Sequence, residues 1–467
     1  MALSPYEMYF VFDSFTTIIR SIKLKKKRIV LVVVLLAIGA LVWFNYPKLN
    51  IISGFASKNM ASAHFISGRP FLDISETDNN MPLIKMAEIE KVIGNDVTSS
   101  VFGLMKRETV CRDGLGCVLI NESYDKTLPL LKPKRTRIKN NLPFPYGNNG
   151  IKDTVFANVD YDQLNKAVNS ALADYDKQKT RTVLIAYKNE LLKEVYVEGF
   201  SEETPVLGWS MTKSVLATVY GILVHQGKIS LEDKPFAGDI QMQQLKHHIT
   251  LNHLLRMQSG LEWDEDYASI SDVNKMLFLE ADMTKTQALK PVIASPTEVW
   301  NYSSGTTNLL SGLLRKRFTT HQDYLDYPYT NFIDKMGMHS MLIETDMTGN
   351  YVGSSYGWAT TRDWAKFGLL YLNKGNWNGE QLFSPSWSDY VAKPTAHSDG
   401  VYGAHFWLNA GGKFPDVPRD MYSANGFQGQ RVYIIPSKDL VVVRTGLENE
   451  DQFDVNTFLS EVCKAIK

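Results

Sequence analysis

The sequence has little cysteine and none of the spacings that commonly bind metal ions. Its 467 residues include three cysteines, too few for a disulfide-rich scaffold. Neither a C-x-x-C nor an H-E-x-x-H pattern occurs. A metalloenzyme is therefore disfavoured, and we expect neither a metal ion nor another cofactor.

The sequence also lacks an excess of charge of either sign. Fifty Lys and Arg residues balance fifty Asp and Glu residues, so no global basic field attracts nucleic acid, and we expect no such partner. Hydrophobic residues make up 44% of the chain and charged residues 21%. This composition is typical of a globular protein and excludes bulk disorder. The length fits roughly three domains, or one large mixed domain with appendages.

One long hydrophobic run is present, at residues 29–44, where no charged or strongly polar side chain occurs. At about 1.5 Å per residue it spans about 24 Å, and two further residues extend it to a transmembrane helix over residues 29–46. The segment 23–28 is almost entirely basic, which by the positive-inside rule keeps residues 1–28 in the cytoplasm. We therefore expect a single-pass protein of the cytoplasmic (inner) membrane whose remaining chain is periplasmic.

The alternative is a cleavable signal peptide, which requires a small-x-small site just beyond the apolar run. The nearest good candidate, at residues 61–63, lies too far downstream, and the leader before the run is long. An uncleaved anchor is favoured over both this alternative and a buried core helix.

Export to an oxidising compartment would permit a disulfide between Cys111 and Cys117. Gly114 and Gly116 lie between them and allow a tight turn. The alternative is two free thiols, if the orientation is wrong. Cys463, in a helical tail, is interpreted as a small buried hydrophobic residue.

The exported part divides into an irregular extension over residues 47–150 and a main domain over residues 151–467. In the main domain, β-rich runs at residues 181–197 and 431–445 each form a hairpin, and helical patterns fill the sequence between them. This order predicts an α+β fold: an antiparallel sheet built from the two terminal parts, flanked by helices with an inserted helical region.

The strongest chemical signal is Gly-Trp-Ser-Met-Thr-Lys-Ser at residues 208–214, directly before an apolar helix. If Ser210 begins the helix, Lys213 lies about one turn later on the same face and can reach the serine oxygen. A partly neutral lysine can remove the serine proton, and the helix N-terminus can stabilise an oxyanion. Alone, this spacing is also compatible with an N-cap serine followed by a surface lysine.

Three further segments make the chain resemble class C β-lactamases and related S-x-x-K hydrolases. Residues 249–261 are similar to their I-T-x-x-x-L-L-x-x-x-S-G-L signature, residues 300–305 to their Y-x-N segment, and residues 425–430 lie where they carry Lys-Thr-Gly or His-x-Gly. The resemblance covers about residues 181–446. It is closest to the branch that includes 6-aminohexanoate-dimer hydrolase, and it implies a β-lactamase/penicillin-binding-protein-like fold.

The resemblance also implies roles for individual residues. Ser210 would be the nucleophile, Lys213 its activating partner and Tyr302 the phenol that transfers protons to the leaving group. The backbone N–H groups of Ser210 and Gln430 would form the oxyanion hole. Ser304 stands where Asn is usual, which puts its substrate contact in question.

Phe427 stands where the family carries Lys or His, so the usual cation is missing. This position is either a substrate contact or a core residue, and Gly429 follows it in the same motif. Arg444 is a candidate replacement cation. Tyr267, in the acidic stretch 262–267, is a possible substrate contact, although a solvated loop is the favoured interpretation of that stretch. Trp209 either lines the pocket or anchors the helix.

We therefore expect a membrane-anchored serine hydrolase that cleaves a small-molecule amide, ester or short peptide. Within the enzyme class the alternative is a low-activity DD-peptidase or β-lactamase. From a different class the alternative is a non-catalytic binding or sensing module on the same fold.

Overall fold

The structure is a computed structural model that describes residues 5–138, 141–147, 150–237, 244–448 and 452–467, with side chains from residue 26 onward apart from residue 38. The first four residues of the expected cytoplasmic tail, and the side chains of the basic segment up to residue 25, lie outside this description. So do positions 139–140 and 148–149 of the expected irregular extension.

The helices and strands follow in chain order. The helices are α1 (Pro5–Phe65), α2 (Phe71–Glu76), α3 (Tyr161–Leu172), α4 (Tyr175–Gln178), α5 (Met211–His225), α6 (Leu251–Leu255), α7 (Asp272–Leu279), α8 (Ser304–Arg315), α9 (His321–Pro328), α10 (Thr361–Leu372), α11 (Pro385–Ala392) and α12 (Val455–Lys464). The strands are β1 (Ala87–Ile93), β2 (Asp96–Val101), β3 (Leu104–Arg112), β4 (Gly116–Ile120), β5 (Thr180–Tyr187), β6 (Glu190–Tyr196), β7 (Val206–Leu207), β8 (Leu342–Ile343), β9 (Gly357–Ala359), β10 (Asn376–Trp377), β11 (Glu380–Gln381), β12 (Trp407–Leu408), β13 (Tyr422–Gly426), β14 (Gln430–Ile435) and β15 (Leu440–Gly446).

The main domain is built around an antiparallel sheet of order β12-β13-β14-β15-β5-β6. The two predicted hairpins form its centre, because β15 from the C-terminal part pairs with β5 from the N-terminal part. Helices α5 and α10 cover one face of this sheet, and α3 and α12 cover the other. The predicted α+β architecture, with an antiparallel sheet flanked by helices, is confirmed.

Alternate residues of the central strands enter two separate cores, as the twofold period of a strand requires. On β15, Val441 and Val443 pack with α5 and α10, whereas Val442 packs with α3 and α12. Cys463 on α12 belongs to the second core and is buried, as expected.

The extension is more ordered than the sequence indicated. Helix α1 continues past Pro47 to Phe65, and β1 to β4 form a four-stranded antiparallel sheet that packs against it. The expectation of an irregular segment is therefore wrong for residues 47–120, whereas the described residues from 121 to 150 contain no helix or strand. The strands gave a weak hydrophobic signal because part of their buried face is polar, with Ser99, Ser100 and Thr109 all buried.

Cys111 and Cys117 face each other across the β3–β4 hairpin and form a disulfide. Gly114 and Gly116 both have positive φ in the intervening turn, in agreement with the reason given for the pairing.

The first helix contains a stretch, within Lys26–Phe65, that is long and apolar enough to cross a membrane. Its most apolar window has a mean hydropathy of 2.5, and none of that window is buried by the rest of the chain. Beyond Leu49 the same helix becomes buried against the folded domain.

Candidate active site

The turn before α5 presents Ser210 at the start of this helix. Trp209 has a φ of 47°, in the left-handed region that residues with a side chain rarely adopt. Gly208 is needed for close packing here, because a Cβ atom on it would lie 2.3 Å from the ring of Trp364. The N–H of Gly208 donates to the carbonyl of Gly357 at 2.8 Å. This strained and tightly packed turn fixes the position of Ser210.

Lys213 lies directly behind Ser210. Its Nζ is 2.9 Å from Ser210 Oγ and 2.9 Å from Ser304 Oγ, and it donates to the carbonyl oxygen of Ser354 at 2.8 Å. Only 1% of the lysine surface is exposed. The structure therefore brings together the two residues that the S-x-x-K spacing predicts to meet.

The environment of Lys213 favours its neutral form. Burial lowers the pKa of Lys213 to about 8, while the negative charge of Glu265 acts in the opposite direction. An amine with this pKa is partly neutral near neutral pH and can accept a proton.

Glu265 is a member of the site that the sequence analysis did not identify. Its carboxylate accepts hydrogen bonds from Ser304 N–H at 2.8 Å, Ser304 Oγ at 2.5 Å and the Tyr267 hydroxyl at 2.6 Å. The indole N–H of Trp263 donates to it as well. The favoured interpretation of the stretch 262–267 as a solvated loop is therefore wrong for Glu265, because four donors hold its side chain against the site.

Tyr302 lies beside Ser210, close enough for its hydroxyl to interact with the serine side chain. Burial and the charge of Glu265 raise the pKa of Tyr302 well above its usual value, so that the phenol keeps its proton. Its ring is 5.0 Å from Lys213 Nζ and packs at 5.2 Å from the ring of Trp407.

The N-terminus of α8 determines where Tyr302 and Ser304 lie. Ser303 caps this helix by accepting a hydrogen bond from the N–H of Thr306 at 2.9 Å. Its hydroxyl also donates to Gln287 at 2.8 Å, which ties the cap to the preceding loop. The cap therefore holds both flanking residues next to Lys213.

Ser210 opens into a cavity of about 410 Å³. Two other predicted site residues, Tyr267 and Phe427, line it and stack on each other with ring centroids 5.6 Å apart. Trp209 also lines the cavity and contacts Phe427 edge-on at 5.7 Å. Of the interpretations left open above, the structure therefore supports a cavity position for both Phe427 and Trp209.

Gly429 lies in the turn between β13 and β14, and Gln430 is the first residue of β14. A Cβ atom on Gly429 would lie 1.9 Å from Arg444 Nη1, so this glycine packs against the arginine and is absent from the described lining of the cavity. The Gln430 side chain donates to the carbonyl of Gly446 at 2.7 Å and accepts from its N–H at 3.2 Å. These contacts fix the backbone of Gln430 at the start of β14.

Arg444 does not replace the missing cation. Its side chain is completely buried, and its guanidinium donates to Gly429 O and Thr180 Oγ1 and pairs with Glu448 at 3.3 Å. On β15 it alternates with Val443, which faces the core that contains α5. The candidate role given to Arg444 above is therefore wrong.

His405 is buried near Lys213, but its hydrogen bonds are structural. Nδ1 donates to the carbonyl of Leu255 at 2.6 Å, and Nε2 accepts from Thr307 at 3.0 Å. Burial lowers the pKa of His405 to about 4, so the ring is neutral. No group of three His, Cys, Asp or Glu side chains among the described residues is placed to hold a metal ion.

The cavity has a second wall that the sequence analysis missed. Helix α1 contributes Lys48, Ile51, Ile52 and Phe55, and the segment 81–84 lies beside them. The spacing i, i+3, i+4, i+7 is that of one helix face, and it was present in the sequence. The sequence pattern alone does not identify it, because this helix face continues directly from the uniformly apolar run at residues 29–44.

The chain is similar in sequence to proteins of known family. The family model described as Beta-lactamase matches residues 168–455. The 6-aminohexanoate-dimer hydrolase of Paenarthrobacter ureafaciens is 24% identical over 294 residues, which are 57% of this chain and 72% of that protein.

Two solved structures show a similar fold. One, from Bacillus anthracis, is provisionally named a 6-aminohexanoate-dimer hydrolase; it is 22% identical, with a TM-score of 0.54 over 62% of this chain and 80% of its own. The other is a penicillin-binding protein homologue from Caulobacter crescentus, 13% identical, with a TM-score of 0.52 over 68% of this chain and 98% of its own.

Proposed function

The chain belongs to the beta-lactamase family and is a serine hydrolase, and on this premise we propose that Ser210 is its nucleophile. Lys213 is the base that activates Ser210, and Tyr302 is the acid that protonates the leaving group. The observation that carries the proposal is the contact between Lys213 Nζ and Ser210 Oγ at 2.9 Å, in a buried environment.

The direction of the hydrogen bonds around Lys213 supports this assignment. The carbonyl oxygen of Ser354 can only accept, and Ser304 Oγ gives its one proton to Glu265, so Ser304 also accepts from the lysine. A neutral amine has two N–H groups, and both are then used. Its lone pair is left for the hydroxyl proton of Ser210.

The reaction proceeds in two steps. Ser210 Oγ attacks the substrate carbonyl as its proton passes to Lys213, and the leaving group departs with a proton delivered through Tyr302. Water then attacks the acyl-enzyme by the reverse proton route and releases the acid. The N–H groups of Ser210 and Gln430 stabilise the oxyanion in both steps.

The substrate is an uncharged amide or ester. The name of the Paenarthrobacter relative supports amide cleavage, and both bond types pass through the same tetrahedral oxyanion. The similarity to a penicillin-binding protein homologue keeps a low-activity DD-peptidase or β-lactamase as the second candidate. The aromatic Phe427 at the cavity disfavours it, because an anionic substrate gains no counter-ion there.

We propose that α1 anchors the enzyme in the cytoplasmic membrane through residues 29–46, with residues 1–28 inside and the hydrolase domain, residues 151–467, in the periplasm. The apolar stretch of α1 supports the anchor by its length and composition. The disulfide between Cys111 and Cys117 supports an oxidising compartment for residues 47–150.

Labelling with a fluorophosphonate probe tests the nucleophile. The wild type should react at Ser210, and Ser210→Ala should lose both labelling and ester turnover. The fold should survive, because the Ser210 side chain makes no capping hydrogen bond to α5. Ser201→Ala, at an exposed loop serine, is the matched control and should label normally. An adduct on another residue, or turnover that persists in Ser210→Ala, would refute the assignment, and a non-catalytic binding module would not label at all.

A further inference from the structure

The cavity that contains Ser210 is lined both by the hydrolase domain and by α1, the helix that leads to the membrane. Phe55 on α1 stacks on Trp209, the neighbour of Ser210, with ring centroids 6.1 Å apart. Lys48, seven residues earlier, lines the same cavity. At about 1.5 Å per residue these two positions are about 10 Å apart along the helix.

The cavity reaches almost to the end of the apolar run. Lys48 lies one helical turn beyond Phe44, where residues 29–44 end, so the outer end of the cavity is about 6 Å from that point. The cavity therefore extends from the expected bilayer surface to the nucleophile.

The walls of the cavity are suited to a hydrocarbon chain. Apolar side chains from α1, α7 and the segments 81–84 and 268–270 make up most of its surface. Lys48 carries the only charge among the described residues that line it. A volume of about 410 Å³ is within the range of small-molecule sites.

Exposed apolar side chains also lie on the side of the domain that faces the apolar run of α1. Ser57 on α1 contacts Val97 on β2, and Ser53, about one turn nearer the apolar run, contacts Ser99. The β2–β3 turn therefore lies nearer still to the apolar run. Phe102 in that turn is 69% exposed. On the rim of the cavity, Leu83 is 53% exposed. Such residues insert favourably at a membrane surface.

We propose that the substrate is an ester or amide with a long hydrocarbon acyl chain, taken from the leaflet next to the hydrolase domain, with the chain in this cavity and the scissile carbonyl at Ser210. This inference rests on the proposed function. The acyl part occupies the cavity because Tyr302, which protonates the leaving group, is absent from its described lining. The Ser210 Oγ–acyl bond forms as the bond to the leaving group breaks, and water then releases the fatty acid.

The first experiment measures kcat/KM of the full-length protein in detergent for p-nitrophenyl acetate and p-nitrophenyl decanoate. Burial of the chain should favour decanoate by at least tenfold, since each buried methylene contributes up to about fourfold. Ile51→Trp, which fills the cavity, should reduce the decanoate-to-acetate ratio at least tenfold. Leu49→Trp, on another face of α1, should leave the ratio within twofold of the wild type. Partitioning into micelles is the same for each variant and cancels from this comparison.

Ile270→Trp reaches the cavity from the opposite wall and should repeat the effect if Ile51→Trp does not fold. Ser210-dependent hydrolysis of acetate without any preference for decanoate would overturn this inference and leave the proposed function intact. Absence of Ser210-dependent hydrolysis of both esters would overturn both.

The second experiment distinguishes the bilayer from solution as the source of the substrate. p-Nitrophenyl palmitate is placed either in the phosphatidylcholine vesicles that carry the full-length protein or in separate vesicles. Hydrolysis should be at least tenfold faster when protein and ester share a bilayer. Equal rates would overturn delivery from the membrane.

Discussion

The ammonium of Lys58 on α1 lies 2.7 Å from the carboxylate of Glu344, and both side chains are buried. The same carboxylate accepts hydrogen bonds from Ser62 at 2.9 Å, from the N–H of Cys117 at 2.7 Å and from the indole of Trp358 at 3.0 Å. Helix α1, the disulfide hairpin and the β7-β9-β8 sheet therefore meet at one charged group. This junction fixes α1 against the hydrolase domain.

We expect Lys58→Met to destabilise the protein by about 3–5 kcal/mol, because it leaves the Glu344 carboxylate buried without its cation. Denaturant unfolding of the full-length protein in detergent measures the change. Lys106→Met is the matched control: Lys106 is 63% exposed in its pair with Glu90, and its loss should cost less than about 1 kcal/mol. Equal stability of the two variants would contradict the role of the junction.

The pKa of Lys213, lowered to about 8 by burial, predicts the pH dependence of the reaction. In the proposed mechanism the base must be neutral, so kcat/KM for p-nitrophenyl acetate should rise with pH, reach half its maximum near pH 8 and level off about one pH unit higher. Glu265 raises this pKa, so Glu265→Gln should move the midpoint to lower pH. Glu262→Gln, at an exposed position in the same loop, should keep the wild-type midpoint. An unchanged midpoint in Glu265→Gln would contradict the electrostatic coupling.

The part of the site that could be predicted from sequence is the part encoded by short spacing. Ser210 and Lys213 are one helical turn apart, so their contact follows from the period of α5. The pairing of β5 with β15 could be predicted because both are continuous β-rich runs. The contact of Ser210 with Tyr302 came from the family resemblance, since no local rule links residues so far apart in sequence.

The features of the site that could not be predicted depend on the direction in which a side chain points in the folded protein. Glu265 is one of several acidic residues in a short loop, and only its contacts with Ser304 and Tyr267 distinguish it from its neighbours. From sequence alone Arg444 is a candidate for the missing cation, because an alternating strand pattern defines two faces but does not show which face lies at the active site. Its guanidinium points to the face covered by α3 and α12.

The disulfide predicts a definite count of reactive thiols. In denaturant without reductant, an alkylating reagent should modify Cys463 alone, because Cys111 and Cys117 are bonded. After reduction all three cysteines should react. Mass spectrometry of the alkylated chain provides the measurement. Modification of three thiols before reduction would show that the pair is free and would weaken the argument for export.

The orientation of α1 can be tested with proteinase K added to spheroplasts of a bacterial host. The exposed stretch at residues 121–132 should be cleaved from outside. An N-terminal epitope tag should remain protected, because residues 1–28 are expected in the cytoplasm. Removal of the tag without lysis would show that the N-terminus is outside, and a chain that stays intact would show that the domain is not exported. Either result would contradict the proposed topology.

Phe427 predicts which substrates the enzyme prefers. Its ring stacks on Tyr267, whose hydroxyl donates to Glu265, so this side of the cavity has an aromatic surface backed by a negative charge. A substrate carboxylate bound here would lose water without gaining a cation, at a cost of several kcal/mol, and each 1.4 kcal/mol is about a factor of ten in specificity. Lys48 also lines the cavity, but it lies about 10 Å along α1 from Phe55, which packs on Trp209, and does not compensate.

We therefore expect kcat/KM for an uncharged short-chain ester or amide to exceed that for nitrocefin by at least a hundredfold. The comparison must use kcat/KM, because a β-lactam that acylates Ser210 and then stalls would imitate tight binding without turnover. Phe427→Lys supplies the missing counter-ion and should raise nitrocefin kcat/KM about tenfold relative to the ester. Phe427→Leu removes the ring without adding charge, so it separates the effect of the cation from that of space, and it should not raise nitrocefin turnover. Cleavage of nitrocefin by the wild type at a rate comparable to that of a simple ester would contradict this account of specificity.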